Sequence, residues 1–125
     1  MTEPHYSVTF RHDIKLMDVM WNRFFAPEDV EPYAAECWRR FEQEGFRPGY
    51  LLRMDMRASA VQPQDALAMF RTHFDGFPRA RRIAVVTASQ IARMQVKREM
   101  TQPYMRLFDG AADALDWLMQ ADEAG

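Results

Sequence analysis

Three kinds of residue in this sequence could carry chemistry: hydroxyls at a strand-to-helix junction, paired carboxylates, and a single cysteine. The junction is the apolar run Arg82-Ile83-Ala84-Val85-Val86 followed by Thr87-Ala88-Ser89-Gln90. In α/β proteins such a place can hold a phosphate or a catalytic hydroxyl. A phosphate cradle needs glycines, because the backbone must approach the anion and take unusual dihedrals. This junction has none, and no lysine of the P-loop kind follows it. Ser89 lacks both the G-x-S-x-G elbow and a histidine placed as a base, so it has no means of becoming a nucleophile. Both hydroxyls read as helix caps, with Thr87 at the N-cap and Gln90 three residues on forming a capping box.

The carboxylate pairs Asp29/Glu31 and Asp113/Asp116 fall on helix surfaces, with no convergent base beside them. Cys37 lies on the apolar stripe, so it reads as a small buried hydrophobe. It is the only cysteine, so no internal disulfide is available. His5, His12 and His73 are scattered and show no metal-ligand spacing. The sequence therefore predicts no catalytic residue, no cofactor and no metal: a non-enzymatic protein. With 16 basic and 18 acidic side chains the formal charge is −2, against a generic nucleic-acid binder, which needs a positive excess. The basic knot Arg79–Arg82 reads as a solvated strand entry. The opening MTEPHYSVTF has no signal-peptide core, and no apolar run is long enough to span a bilayer. A cytoplasmic location is the expectation.

The elements that would position these residues are legible from periodicity. Tyr6, Val8 and Phe10 alternate with Ser7, Thr9 and Arg11, a half-buried strand. After a tight turn at His12-Asp13 comes a second strand, Ile14 to Trp21, and the short link makes the pair an antiparallel hairpin. Ile14, Leu16 and Met20 share one face, interrupted by Asp18, and Met17, Val19 and Trp21 share the other. A helix opening at Pro27 carries Val30, Tyr33, Ala34, Cys37, Trp38 and Phe41 on one stripe, holds Pro32 near its first turn, and stops at Gly45. A third strand spans Tyr50 to Met56. A second helix follows over Pro63 to Phe74, with Ala66, Leu67, Phe70 and Phe74 facing inward. The strand Ile83 to Val86 is apolar without alternation, as when both faces are covered. A third helix follows from Ala88 to Met100, then a strand from Tyr104 to Phe108. Asp109 is placed to cap a last helix bearing Ala111, Ala114, Leu115 and Leu118.

The order β-β-α-β-α-β-α-β-α predicts one α/β domain over residues 1–125: a mixed, mostly parallel sheet of five strands, an N-terminal antiparallel hairpin and four helices. Particular residues add a resemblance. The strand Ile83-Ala84-Val85-Val86 with its polar turn, the run Arg106-Leu107-Phe108-Asp109, the ending Ala114-Leu115-Asp116-Trp117-Leu118 and the opening Phe25-Ala26-Pro27-Glu28-Asp29-Val30 resemble the STAS-like family of bacterial anti-sigma-factor antagonists, most closely its SpoIIAA-like branch. The resemblance implies a regulatory protein-interaction module. In those antagonists a serine at the start of the second helix is phosphorylated by the partner kinase. Here the matching strand ends at Asp55 and the helix opens Gln62-Pro63-Gln64-Asp65, with Ser59 the nearest hydroxyl. The phospho-switch does not carry over, and Asp65 reads as a favourable first-turn carboxylate.

Two functions compete on these grounds. A protein-interaction module would use the apolar loop residues Trp21, Phe24 and Phe25, and the expected partners are a second copy, as a homodimer, and an unidentified protein. A binding module for a small apolar or lipid-like ligand would use the ten methionines and nine phenylalanines to line an adaptable pocket, a reading helped by the likeness of part of this branch to lipid-carrier folds.

Overall fold

A computed structural model of the chain describes residues 6–22, 25–58 and 64–120, the side chains of 64–67 excepted. Five strands lie side by side in chain order. They are β1 (Tyr6–Arg11), β2 (Leu16–Trp21), β3 (Leu51–Asp55), β4 (Arg82–Val86) and β5 (Met105–Phe108). β1 and β2 pair antiparallel, and each later pair is parallel. The helices are α1 (Pro27–Gln43), α2 (Gln64–His73), α3 (Gln90–Glu99) and α4 (Ala111–Leu118). The expected mixed sheet, hairpin and four helices are all present.

Strand alternation divides the interior into two cores. Met17, Val19 and Trp21 pack with Tyr33, Cys37, Phe41, Val85 and Val96 beneath α1, α2 and α3. Leu16, Leu51, Ala84 and Val86 face the other way, against Ala114 and Leu118 of α4. Three crossover helices thus share one face of the sheet and α4 covers the other. Both faces of β4 are occupied, which is why Ile83 to Val86 are all buried and why the strand needs no polar alternation. Asp18, the polar interruption in β2, stands opposite Arg53 in the parallel register. Arg53 donates Nε and Nη2 to its two carboxylate oxygens at 2.9 and 2.6 Å, and Nη1 to the Ala111 carbonyl at 3.1 Å. One bidentate fork thereby fixes β2, β3 and the start of α4 together.

The α1 terminus shows how local sequence sets an end. Gly45 takes φ +71°, and its N–H donates to the Glu42 carbonyl while Phe46 N–H donates to that of Phe41. These are the two bonds of a Schellman motif, and the Phe41 and Phe46 rings supply its apolar contact. At the other end Asp29 accepts from the Ala26 N–H at 2.9 Å.

Several boundaries depart from expectation. β2 begins at Leu16, not Ile14, β3 is one residue shorter at each end, and Pro32 lies in the second turn of α1 on an exposed side. Ser89, not Thr87, caps α3: its Oγ accepts from Ala92 N–H at 3.2 Å. Thr87 is instead drawn into the sheet, 1% exposed, with its N–H donating to the Phe108 carbonyl. Gly110, not Asp109, is the N-cap of α4, and Asp109 pairs with Arg93 of α3.

Candidate functional site

The middle strand of a helix-covered sheet should be buried, yet Leu52 and Met54 of β3 are only half-buried. Both point toward the three-helix face, and both line a cavity of about 400 Å³. α1 contributes Tyr33 and Cys37 to its wall, α2 Phe70, and α3 Val96. Four methionines, Met17, Met54, Met56 and Met100, also face it. Their flexible, polarizable side chains suit an irregular surface.

The polar tips of the lining aromatics are turned to partners within the protein. Trp21 Nε1 donates to Tyr33 Oη at 3.1 Å, and Tyr50 Oη donates to the Pro78 carbonyl at 2.9 Å. Burial pushes both tyrosines well above their ordinary range, and it pushes the Cys37 thiol up to about 12. At neutral pH these groups are uncharged, and Cys37 is a thiol with no nucleophilic thiolate character. What the wall offers a guest is ring face, thioether and methyl.

Charge gathers at one end. Crossover helices run opposite to their strands, so the C-terminal ends of α2 and α3 meet the N-terminal ends of β4 and β5. There Arg71 of α2 donates Nε and Nη2 to Glu99 Oε2 of α3 at 3.1 and 2.6 Å, a bridge across the cavity wall. Arg79 lies beside it with its guanidinium carbon 4.4 Å from the centre of the Tyr104 ring. Gln102 lines the same end, its Oε1 buried without a hydrogen-bond partner. At the opposite end Trp21, Tyr33 and Phe70 line the cavity, backed by Phe25, whose ring lies 5.0 Å from Trp21 and, edge-on, 5.1 Å from Tyr33 and 5.2 Å from Phe70 between ring centres.

That cluster revises the interface expected from sequence. Phe25 is 0% and Trp21 5% exposed within the single chain, so neither has surface to give a second copy at this loop. Both rings are spent on the core, with Trp21 also facing the cavity. Phe24 and Ser59 lie outside the described residues. Gln64 and Asp65 form the first turn of α2, their side chains outside the description. Thr87 and Ser89 sit at the C-terminal edge of the sheet, near Asp55, far along the strands from the charged end of the cavity. Burial pushes the Asp55 carboxyl up. The Arg57 side-chain and backbone hydrogen bonds, with the Arg57 and Arg53 charges, outweigh that and hold it below the usual range. No helix among the described residues is long and apolar enough to cross a membrane, and no acidic, histidine or cysteine group there could hold a metal.

Sequence reasoning missed Leu52, Met54, Arg71, Glu99 and Tyr104 as site residues, and it read Arg79 as a strand entry. The basic knot was the one available signal. Which of its arginines faces a cavity depends on the sheet.

No family model and no curated protein matches the sequence. Solved structures do match. An uncharacterized protein of the DUF3478 family with a SpoIIAA-like fold, from Shewanella loihica PV-4, superposes with TM-score 0.69 at 14% identity, covering 94% of this chain and 98% of its own. A candidate anti-sigma factor antagonist from Thermotoga maritima gives 0.65 at 8% identity, covering 92% and 95%. An anti-sigma factor antagonist from Mycobacterium paratuberculosis gives 0.60 at 12% identity, covering 96% and 100%. The chain has the SpoIIAA-like, STAS-like fold.

Proposed function

We propose that this protein is a non-enzymatic binding module whose cavity takes one small apolar or lipid-like molecule. The observation that carries the reading is the half-exposure of Leu52 and Met54 in the middle of a covered sheet, opening onto about 400 Å³ of apolar space. A dry apolar cavity of roughly 150 Å³ already binds benzene, and small-molecule sites commonly span ~300–1,000 Å³. The space opens to solvent, so water wets its apolar walls until a guest displaces it, and removing that apolar surface from water favours the guest. Native mass spectrometry of gently purified protein tests this. A protein-bound mass of a few hundred daltons, removable by organic extraction, is expected. A bare chain mass under conditions that preserve the fold counts against the reading.

A protein-interaction role of the kind named for the anti-sigma factor antagonists is the second reading. Ile91 and Met94, one turn apart on α3, are 60% and 61% exposed. Large apolar side chains in that state favour a covering partner, and the partner expected from sequence was a second copy. Sedimentation equilibrium on the native chain and on Ile91→Asp/Met94→Asp tests it. A mass near 14.7 kDa at every concentration, for both proteins, would count against a homodimer.

A further inference from the structure

We infer that the ligand is an anionic amphiphile, held by its head group at Arg79 with its tail along the apolar wall. This rests on the cavity being a binding site and goes on to say what kind of molecule fills it. At the polar end the charges are few and their pairing is visible. Both of Arg71's bonded nitrogens go to Glu99, so those two cancel. Arg79 takes part in no ion pair among the described residues, where its guanidinium lies over the face of Tyr104. A guanidinium stacked on a ring keeps its N–H donors in the plane of the group, pointing outward along its edges, where a carboxylate or phosphate can take two at once. Lys97 and Arg98 lie in the last turn of α3 on the same end and are exposed. Against these stand Glu99, already neutralised, and Asp75 just beyond α2. Among the charged residues that line the cavity, Arg71, Arg79 and Glu99, the balance is one positive charge in a protein whose overall charge is −2. Such local concentration draws in an anion through a mouth with apolar walls.

The volume sets a minimum for the tail. Taking about 30 Å³ per water-sized group, 400 Å³ has room for at least roughly a dozen methylenes, enough for a medium-chain tail. A carboxylate and a phosphate head would both satisfy Arg79, and the probes below are chosen for the carboxylate.

The test compares decanoate with decan-1-ol, the same tail with and without a charge, on the delipidated full chain by isothermal titration calorimetry at pH 7.5 and low salt. Decanoate is expected to bind at least tenfold more tightly, with the advantage shrinking in 0.5 M salt. Arg79→Met should bring the acid-to-alcohol ratio close to one, and Arg79→Lys should restore part of the ratio. Equal affinity of acid and alcohol for the native chain, or a ratio that Arg79→Met leaves unaltered, overturns the head-group assignment and leaves the apolar site standing. If neither compound binds, the site itself fails and the assignment with it. Should Arg79→Met fold poorly, the native chain's ratio at two salt concentrations decides alone.

Discussion

Phe25→Ala removes a ring that two different accounts of the loop before α1 would place in opposite environments. In the structure the side chain is fully buried and touches Tyr6, Trp21, Tyr33 and Phe70. Truncating a buried phenylalanine costs about 3–5 kcal/mol. The upper half of that range applies here, since three of the four ring pairs lie within 5.2 Å and such pairs add ~0.5–1.5 kcal/mol beyond area. For a chain of this length each kcal/mol moves the melting temperature by roughly 3–5 °C, so a fall of about 12–25 °C is expected. Differential scanning calorimetry reads the loss directly, with sedimentation equilibrium beside it. A melting temperature within about 3 °C of the native value, whatever happens to the oligomeric state, would refute a core role for this ring and return the loop to the surface.

Other consequences are as direct. The depressed Asp55 carboxyl contributes stability that is fully present above its unfolded value of 3.8 and is lost as pH falls through the lower folded value; urea midpoints of Asp55→Asn should accordingly drop less between pH 5 and pH 2.5 than those of the native chain. An anti-sigma-type serine kinase should leave the start of α2 unmodified, because Gln64 and Asp65 offer no hydroxyl where the sequence resemblance implies an acceptor serine; stoichiometric phosphate mapped to Ser59 would contradict this. Trp38→Ala should cost less than Phe25→Ala, since Trp38 is only half-buried, against Phe77 and the His73 carbonyl; an equal or larger loss of melting temperature would be the wrong result.

The order of elements, the α1 stripe and the two faces of β2 could be read from spacing alone, because period and burial are the same physics. Asp18 looked like a flaw until a parallel register placed Arg53 opposite it, 35 positions away. No local pattern carries that pairing. The α3 cap was displaced from Thr87 to Ser89 because the Phe108 carbonyl on β5 captures the Thr87 N–H and extends the sheet by a residue. Trp21 and Phe25 were taken for an interface on the rule that apolar residues in a short turn must find cover. The rule holds, but the cover comes from Tyr33 and Phe70 of the same chain. The Met- and Phe-rich composition allowed a pocket, but where it lies could not be read from the sequence. Its walls are built from the residue types of any core, and only the placement of α2 and α3 above β3 leaves them apart.

The measurement that bears most directly on the binding reading is a fluorescence titration with the neutral apolar probe N-phenyl-1-naphthylamine, on the native chain and on Met54→Trp, whose indole would project into the space above β3. The native chain should give saturable, one-to-one, blue-shifted enhancement that decan-1-ol displaces competitively, and Met54→Trp should lose it while still unfolding cooperatively. Enhancement that never saturates, or that survives in a cooperatively folded Met54→Trp, would contradict the cavity as the protein's binding site.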